Sequence, residues 1–334
     1  VTGETMSYYL RKLAFYLVAL WAALTLDFFI PRLLPGNPVD VLLAKLAQRG
    51  GAPDPSVRRA YELLLGTHSD EPLWSQYVSY LDRLAHGDLG VSVSVFPAKV
   101  SDVIAQALPW TLVLVGIATL LSFVLGVGLG MFVGWKRGTW LDALVPGTTV
   151  LAAVPYFWLA LLLAALLAGA LGWFPLLGGY DVALDPGWNA GFLGSAVYHG
   201  TLPALTIVVS SVGGWLLGMR NMMVSTGSED YVLTAQAKGL RDGRVMLRYA
   251  ARNAVLPSVA GFAISLGFVV SGSIVTEQVF AYPGIGSKLL QAVQNNDYAL
   301  MQGIFLIITV AVLGANLVID LLYGLIDART RARA

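Results

Sequence analysis

The residues able to make or break bonds are few in this chain and stand apart from one another. There is no cysteine, which removes thiol nucleophiles, disulfides and thiolate metal sites. His68, His86 and His199 are scattered, without the paired spacing that brings two imidazoles to one metal ion. No Gly-x4-Gly-Lys-Ser/Thr loop is present to cradle a triphosphate. The run Gly126-x-Gly128-x-Gly130, with Gly134 beyond it, lies inside an apolar stretch with no strand before it, so helix packing or bending explains it better than dinucleotide binding. No catalytic residue, metal or cofactor is assigned to the chain, and it is expected not to be an enzyme.

Three other constellations suit contact and passage. The first is a basic, largely polar segment, 220–254, between two membrane-length apolar runs; it carries Arg220, Lys238, Arg241, Arg244, Arg248 and Arg252. Ala235 and Gly239 are four residues apart within it and on a helix would share a face. Gly239 leaves room for a partner's backbone, at a helix cost of about 1 kcal/mol relative to Ala. The arginines taken singly suit topology and anionic headgroups equally well. The second is the stripe Ser258, Gly261, Ser265, Gly272 and Thr276, with Glu277 near its outer end. It is expected to serve close helix packing ahead of pathway lining, and both can hold along one helix. The third is the face formed by Asn316, Asp320, Tyr323 and Asp327. A charge at a helix centre in hydrocarbon costs about 2.5–3.5 kcal/mol, so this face is expected to look into protein or toward cytoplasmic water. Interhelical hydrogen bonding is expected there ahead of substrate contact, with Asp327 interfacial.

The elements that must position these residues are membrane helices. Of the 334 residues 57% are hydrophobic and 12% charged, and mean hydropathy is +0.70, values rare in a soluble domain. Apolar runs of about 20 residues fall at 13–30, 109–134, 143–171, 202–219, 255–280 and 301–326, giving six expected spans. The third run is overlong and holds Pro146 and Pro155, which predicts a tilt or kink within one crossing. With both termini in the cytoplasm, thirteen basic residues lie inside, against Lys288 alone in the two short outer loops. Arg11-Lys12 before an apolar run could open a secretory signal, but the run is long and lacks a small-residue cleavage site before Arg32, so the first span is expected to stay uncleaved.

The remaining unit, 31–107, is expected to be a small helical insert outside the membrane. Asp54-Pro55 predicts a helix start, with Val57, Tyr61 and Leu64 on one face. A second helix is predicted from Glu71-Pro72 to His86-Gly87, with Leu73, Tyr77, Leu81 and Leu84 as the buried stripe facing the first. The resulting division is a first span in 1–30, the insert in 31–107 and a helical core in 108–334.

Several segments carry a resemblance. Ala235, Gly239 and Leu256-Pro257 are similar to the cytoplasmic coupling loop of permease subunits of ABC importers, although Leu233 and Thr234 stand where the usual Glu and first Ala would be. The spacing from Gly239 to Leu256, the segments Leu34-Pro-Gly-Asn-Pro38, Gly87-Asp-Leu-Gly90 and Tyr282-Pro-Gly-Ile-Gly286, and the closing run Asn316 to Arg329 resemble the dipeptide/oligopeptide permease branch. The resemblance implies a multi-pass subunit of a bacterial or archaeal cytoplasmic membrane that forms half of a translocation pathway. Ala235, Lys238, Gly239, Leu240, Arg241, Leu256 and Pro257 would couple it to ATPases. It also implies a homologous second permease, two ATPase subunits that bind ATP and Mg, an extracytoplasmic solute-binding protein and membrane lipid, with no nucleic acid. The insert would lie near the docked binding protein, as a docking element or a cap over helix ends. Peptides lead as substrate, with oligosaccharides and nickel chelates open. A secondary transporter driven by an ion gradient is a remoter reading, because no convincing inverted repeat or midplane charge is found. A membrane scaffold without transport is a third.

Overall fold

The computed structural model describes residues 2–33, 35–48, 58–62, 71–271 and 273–326. Every regular element among them is helical, apart from one isolated bridge between Val91 and Lys99. Among the described residues four helical stretches are long and apolar enough to cross a membrane: Leu10–Leu33, Val100–Trp135, Ala190–Thr226 and Tyr298–Val318. A fifth is reached if Asp242–Ala254 and Leu256–Ser271, bent by 50°, count as one span. The chain is thus an all-helical, multi-span membrane protein. It divides into two compact units, one of residues 1–110 with 284–334 and one of residues 111–283.

In the first unit α1 (Thr2–Leu33) is followed by α2 (Pro38–Gln48), α3 (Leu73–Ala85) and the opening turns of α4 (Val100–Trp135). The start of α2 is written into Asn37-Pro38. The Asn37 side chain accepts the Val39 N–H at 2.9 Å, and Pro38 loses nothing by lacking an N–H in a first turn. Helix α3 begins after Pro72 and ends at His86, with Gly87 at φ +74°, as its sequence predicts. Its buried face keeps most of the expected stripe, with Leu81 and Leu84 partly buried beside Tyr77, and departs from it at Leu73 and Tyr80. Tyr77 and Tyr80 are buried while Leu73 is 54% exposed, because α3 packs on Phe28 of α1. Tyr61 packs instead with the Val39, Leu42, Leu43 cluster and Phe96, so the expected pairing of Tyr61 with Tyr77 is not formed. The helix start at Asp54-Pro55, and Val57 and Leu64, lie outside the described residues.

The same unit closes with α13 (Ile285–Gln294) and α14 (Tyr298–Ile326), whose Ile285, Leu289, Ala292, Leu300, Met301 and Ile304 bury Val100, Val103 and Ile104. Asp297 joins these pieces. Its carboxylate accepts from Ser92 Oγ at 2.6 Å, from the Ser94 N–H at 2.8 Å and from the Leu300 N–H at 3.1 Å, capping α14 while tying down the loop before α4.

In the second unit the overlong apolar run is broken. After a 3-10 turn, α5 (Leu144–Ala153) stops before Pro155, and α6 (Tyr156–Leu163) restarts and continues as a π turn over Ala164–Ala170. Proline lacks the N–H that would continue the ladder and clashes with the preceding turn, so a break here is the expected form of the kink. Next come α7 (Ala190–Thr226), α8 (Asp230–Ala237) and α9 (Asp242–Val245). A π turn over Met246–Ala250 leads into α10 (Ala251–Ala254), α11 (Leu256–Phe268) and α12 (Ile274–Val279). The glycine run of α4 explains how α4 meets α7. A Cβ on Gly126 would lie 2.5 Å from Trp215 Cβ, one on Gly130 would strike the Leu216 carbonyl, and one on Gly134 would lie 2.6 Å from Met223 Cβ. These three glycines share one face and let two backbones approach; Gly128, off that face, meets nothing within 4 Å.

Candidate coupling site

The basic segment is built as several short helices. It leaves the end of α7 through Gly227 and enters α8, whose first turn carries Asp230 where the positive end of the helix dipole favours a carboxylate. Lys238 is the C-cap and Gly239 follows at φ +73°. The Gly239 N–H bonds to the Gln236 carbonyl at 2.9 Å and the Leu240 N–H to the Ala235 carbonyl at 3.4 Å, the paired bonds of a Schellman turn. Leu240 then packs against the core beneath, which completes that motif. Gly239 therefore lies beyond the helix end rather than on the helix face expected from sequence, and its conformation is one that a side chain makes costly.

The core beneath holds Val232, Ala235, Val245, Met246, Ala250, Ala251 and Ala254 against Met219 and Met223 of α7 and Val127 of α4. Ala235 is 2% exposed. Its smallness serves this core, so the shallow surface expected from Ala235 and Gly239 together does not exist. The surface is instead made by Gly239, with nothing within 4 Å of a Cβ placed on it, by exposed Lys238, Arg241, Arg244, Arg248 and Arg252, and by Tyr231, Leu233 and Leu247. Among the described residues none of these five cations is ion-paired. Leu233 and Leu247, 49% and 53% exposed, were readable from sequence only as apolar residues of a short amphipathic stretch, with nothing to say which face was covered.

Three hydrogen bonds tie this segment down. Trp135 Nε1, at the end of α4, donates to Asp242 at 3.0 Å, Arg137 donates to the Val224 carbonyl at 2.9 Å, and Asn253 donates to the Tyr231 hydroxyl at 2.9 Å. Leu256, 62% exposed, and Pro257 open α11 after the 50° bend at Val255. The segment is thus bonded to the ends of α4 and α7 and runs directly into α11.

The stripe beyond it is not one helical face. Ser258, Gly261 and Ser265 lie on α11, where Ser258 is buried and a Cβ on Gly261 would sit 3.6 Å from the Trp215 ring. Thr276 and Glu277 belong to the separate α12, and Gly272 lies outside the described residues. Ser265 turns back to its own helix, donating to the Phe262 carbonyl at 2.7 Å. Glu277, fully buried, accepts from Thr111 Oγ1 at 2.8 Å, and Thr276 accepts from Ser273 at 2.8 Å. On the last helix, Asp320 accepts from the Tyr16 hydroxyl at 2.8 Å and lies 3.1 Å from Lys12 Nζ, which links α14 to α1. Asn316 is half-buried; the Tyr323 side chain and Asp327 lie outside the described residues. No group of three metal-ligating side chains occurs among the described residues.

The fold and this segment define a multi-span helical membrane protein with a compact, exposed basic segment bonded to the ends of α4 and α7. Residues 126–332 match the family model of the binding-protein-dependent transport system inner membrane component, and the chain belongs to that family. It is 32% identical to the di/tripeptide transport system permease protein DppB of Pseudomonas aeruginosa over 98% of this chain and 99% of the relative. It is 30% identical to the dipeptide transport system permease protein DppB of Escherichia coli over the same shares. It is 28% identical to the oligopeptide transport system permease protein AppB of Bacillus subtilis over 97% of this chain and 98% of that one.

Proposed function

We propose that this chain is a permease subunit of an ATP-driven, binding-protein-dependent peptide importer. It would span a bacterial or archaeal inner membrane six times, with both termini in the cytoplasm and residues 31–107 outside. It would pair with a second, homologous permease to complete the pathway, draw on two ATPase subunits for ATP and Mg, and receive substrate from an external binding protein. The observation that carries the reading is the exposed turn at Gly239, flanked by Lys238 and Arg241 and held on a core shared with α4 and α7. An ATPase surface rich in carboxylates would meet the cations, and its backbone could approach Gly239, which presents no Cβ. Closure of the ATPases would then move α8 as a unit and shift α7 and α11 with it. In this reading Asn316, Asp320, Tyr323 and Asp327 hold helices together, and Ser258, Gly261, Ser265, Gly272, Thr276 and Glu277 pack span five or line the route. The full-length relatives named for peptide transport point to short peptides ahead of oligosaccharides or nickel chelates.

The test is reconstitution of the chain in proteoliposomes with the permease, ATPases and binding protein encoded beside it. Labelled dipeptide is expected to enter only with ATP and binding protein. Uptake driven by an ion gradient without ATP would replace this reading with a secondary transporter. Uptake of oligosaccharide or a nickel chelate and not of peptide would change the substrate alone.

A further inference from the structure

In the first unit a cavity of about 30 Å³ is lined by Arg32, Tyr80, Arg83, Asp88, Tyr298 and Gln302, with Leu84, Leu89 and Gly303 between them. Tyr80 and Gln302 are 7% and 8% exposed, and the Tyr80 hydroxyl and Gln302 Nε2 are buried without a hydrogen-bond partner. Buried polar groups in folded proteins are nearly always satisfied, so two unpartnered ones on one small cavity call for an explanation. Both can donate, and Gln302 Nε2 can do nothing else.

The cations of this cavity carry the argument further. Arg32 is held in place, with Nη1 donating to the Phe28 carbonyl at 2.9 Å, Nε 3.4 Å from Gln76 Oε1 and the guanidinium 3.7 Å from the Phe28 ring centroid. Among the described residues neither Arg32 nor Arg83 is paired with a carboxylate. Asp88 also lines the cavity, but it is exposed, and its Oδ1 accepts the Gly90 N–H at 2.9 Å. Asp27, whose field reaches Tyr80, is not among the lining residues. Two guanidinium groups and two spare donors leave the site in want of acceptors. A carboxylate supplies four acceptor positions on two oxygens, and it is the group whose planar geometry matches a guanidinium fork. The space admits a carboxylate head and little more, so whatever carries it must extend outward.

We infer that Arg32, Tyr80, Arg83 and Gln302 form a binding site for one carboxylate group, either of a small organic acid or of the C-terminus of a short peptide. The site is argued from its own donors and does not depend on the transport reading. In the full chain held in lipid nanodiscs, calorimetric titration with acetate at matched ionic strength is expected to show saturable binding. Tyr80→Phe removes only an unpartnered hydroxyl and Gln302→Leu only an amide. Each is expected to weaken acetate about tenfold or more, as loss of a hydrogen bond to a charged group does. Arg59→Gln, on exposed surface outside the cavity, is expected to leave binding unchanged. Ala-Ala binding where Ala-Ala amide does not would assign the site to a peptide terminus. Acetate binding without either dipeptide would assign it to a free organic acid.

Acetate binding equal in the wild type and in both variants would overturn the inference, as would bromide competing as well as acetate. So would no saturable binding, which would leave the cavity to water. Unfolding midpoints of the variants show whether each is folded. Should Gln302→Leu fail to fold, Tyr80→Phe alone decides the matter.

Discussion

Gly239 combines two demands that the sequence alone does not separate. The pattern Ala-x3-Gly suggests a small face on one helix, and a glycine inside a helix could be replaced without local harm. The observed φ of +73° makes it a helix terminator, and most residues with a Cβ pay about 1–2 kcal/mol in that region. Asparagine is the side chain that tolerates it best. Gly239→Val is therefore expected to fray the turn and lower hydrogen-exchange protection across 235–245. Gly239→Asn should keep wild-type protection while losing about tenfold in peptide uptake, because its side chain occupies the space where an ATPase would dock. Wild-type uptake in Gly239→Asn would assign the glycine to the turn alone. Ala235 shows the complementary difficulty. Its size was legible, but burial depends on Met219 and Met223, which are brought to it from α7.

Among the helices, those with local punctuation were readable and those shaped by distant partners were not. Pro72 and Gly87 bound α3, and Pro155 breaks the third apolar run, because each acts through its own backbone. Which face of α3 is buried depends on Phe28, far away in sequence, and so the stripe keeps Tyr77, Leu81 and Leu84 but gains Tyr80 and loses Leu73. The π turns at Ala164–Ala170 and Met246–Ala250 leave no recognisable signal in an apolar run. The glycines of α4 were legible as packing residues, and the structure supplies their partner. Gly130→Leu is expected to overpack the contact with Leu216 and destabilise the protein by about 1–3 kcal/mol or more, whereas Gly128→Leu should be nearly neutral. Thermal unfolding of the two variants in the same detergent checks this. Tyr77→Asp places a charge beside Phe28 and removes the hydroxyl that shares a 2.8 Å hydrogen bond with Thr25. Burying an unpaired carboxylate there is expected to cost several kcal/mol and release α3 from α1, read as new protease cleavage within 71–86.

For the whole molecule, the division expected at residues 30 and 107 follows the sides of a membrane, whereas the compact units follow contact. Residues 284–334 return to the first 110, where α14 lies along α1 and Asp320 meets Tyr16 and Lys12. No local pattern announces such a return, because the partners are about three hundred residues apart. Membrane sidedness is written elsewhere, in the thirteen basic residues assigned to one side against Lys288 in the short outer loops. That asymmetry predicts that α3 and the start of α8 face opposite compartments. Ser75 and Ser228 are exposed, and the chain has no cysteine of its own to confuse the labelling. In intact cells an impermeant maleimide is expected to label Ser75→Cys and to reach Ser228→Cys only after the membrane is opened. If both are labelled equally from outside, an odd number of crossings cannot separate them, and the six-span arrangement with cytoplasmic termini is wrong. Protection of Ser75→Cys with labelling of Ser228→Cys would keep the crossings and invert the protein, which would place the coupling turn where no ATPase could reach it.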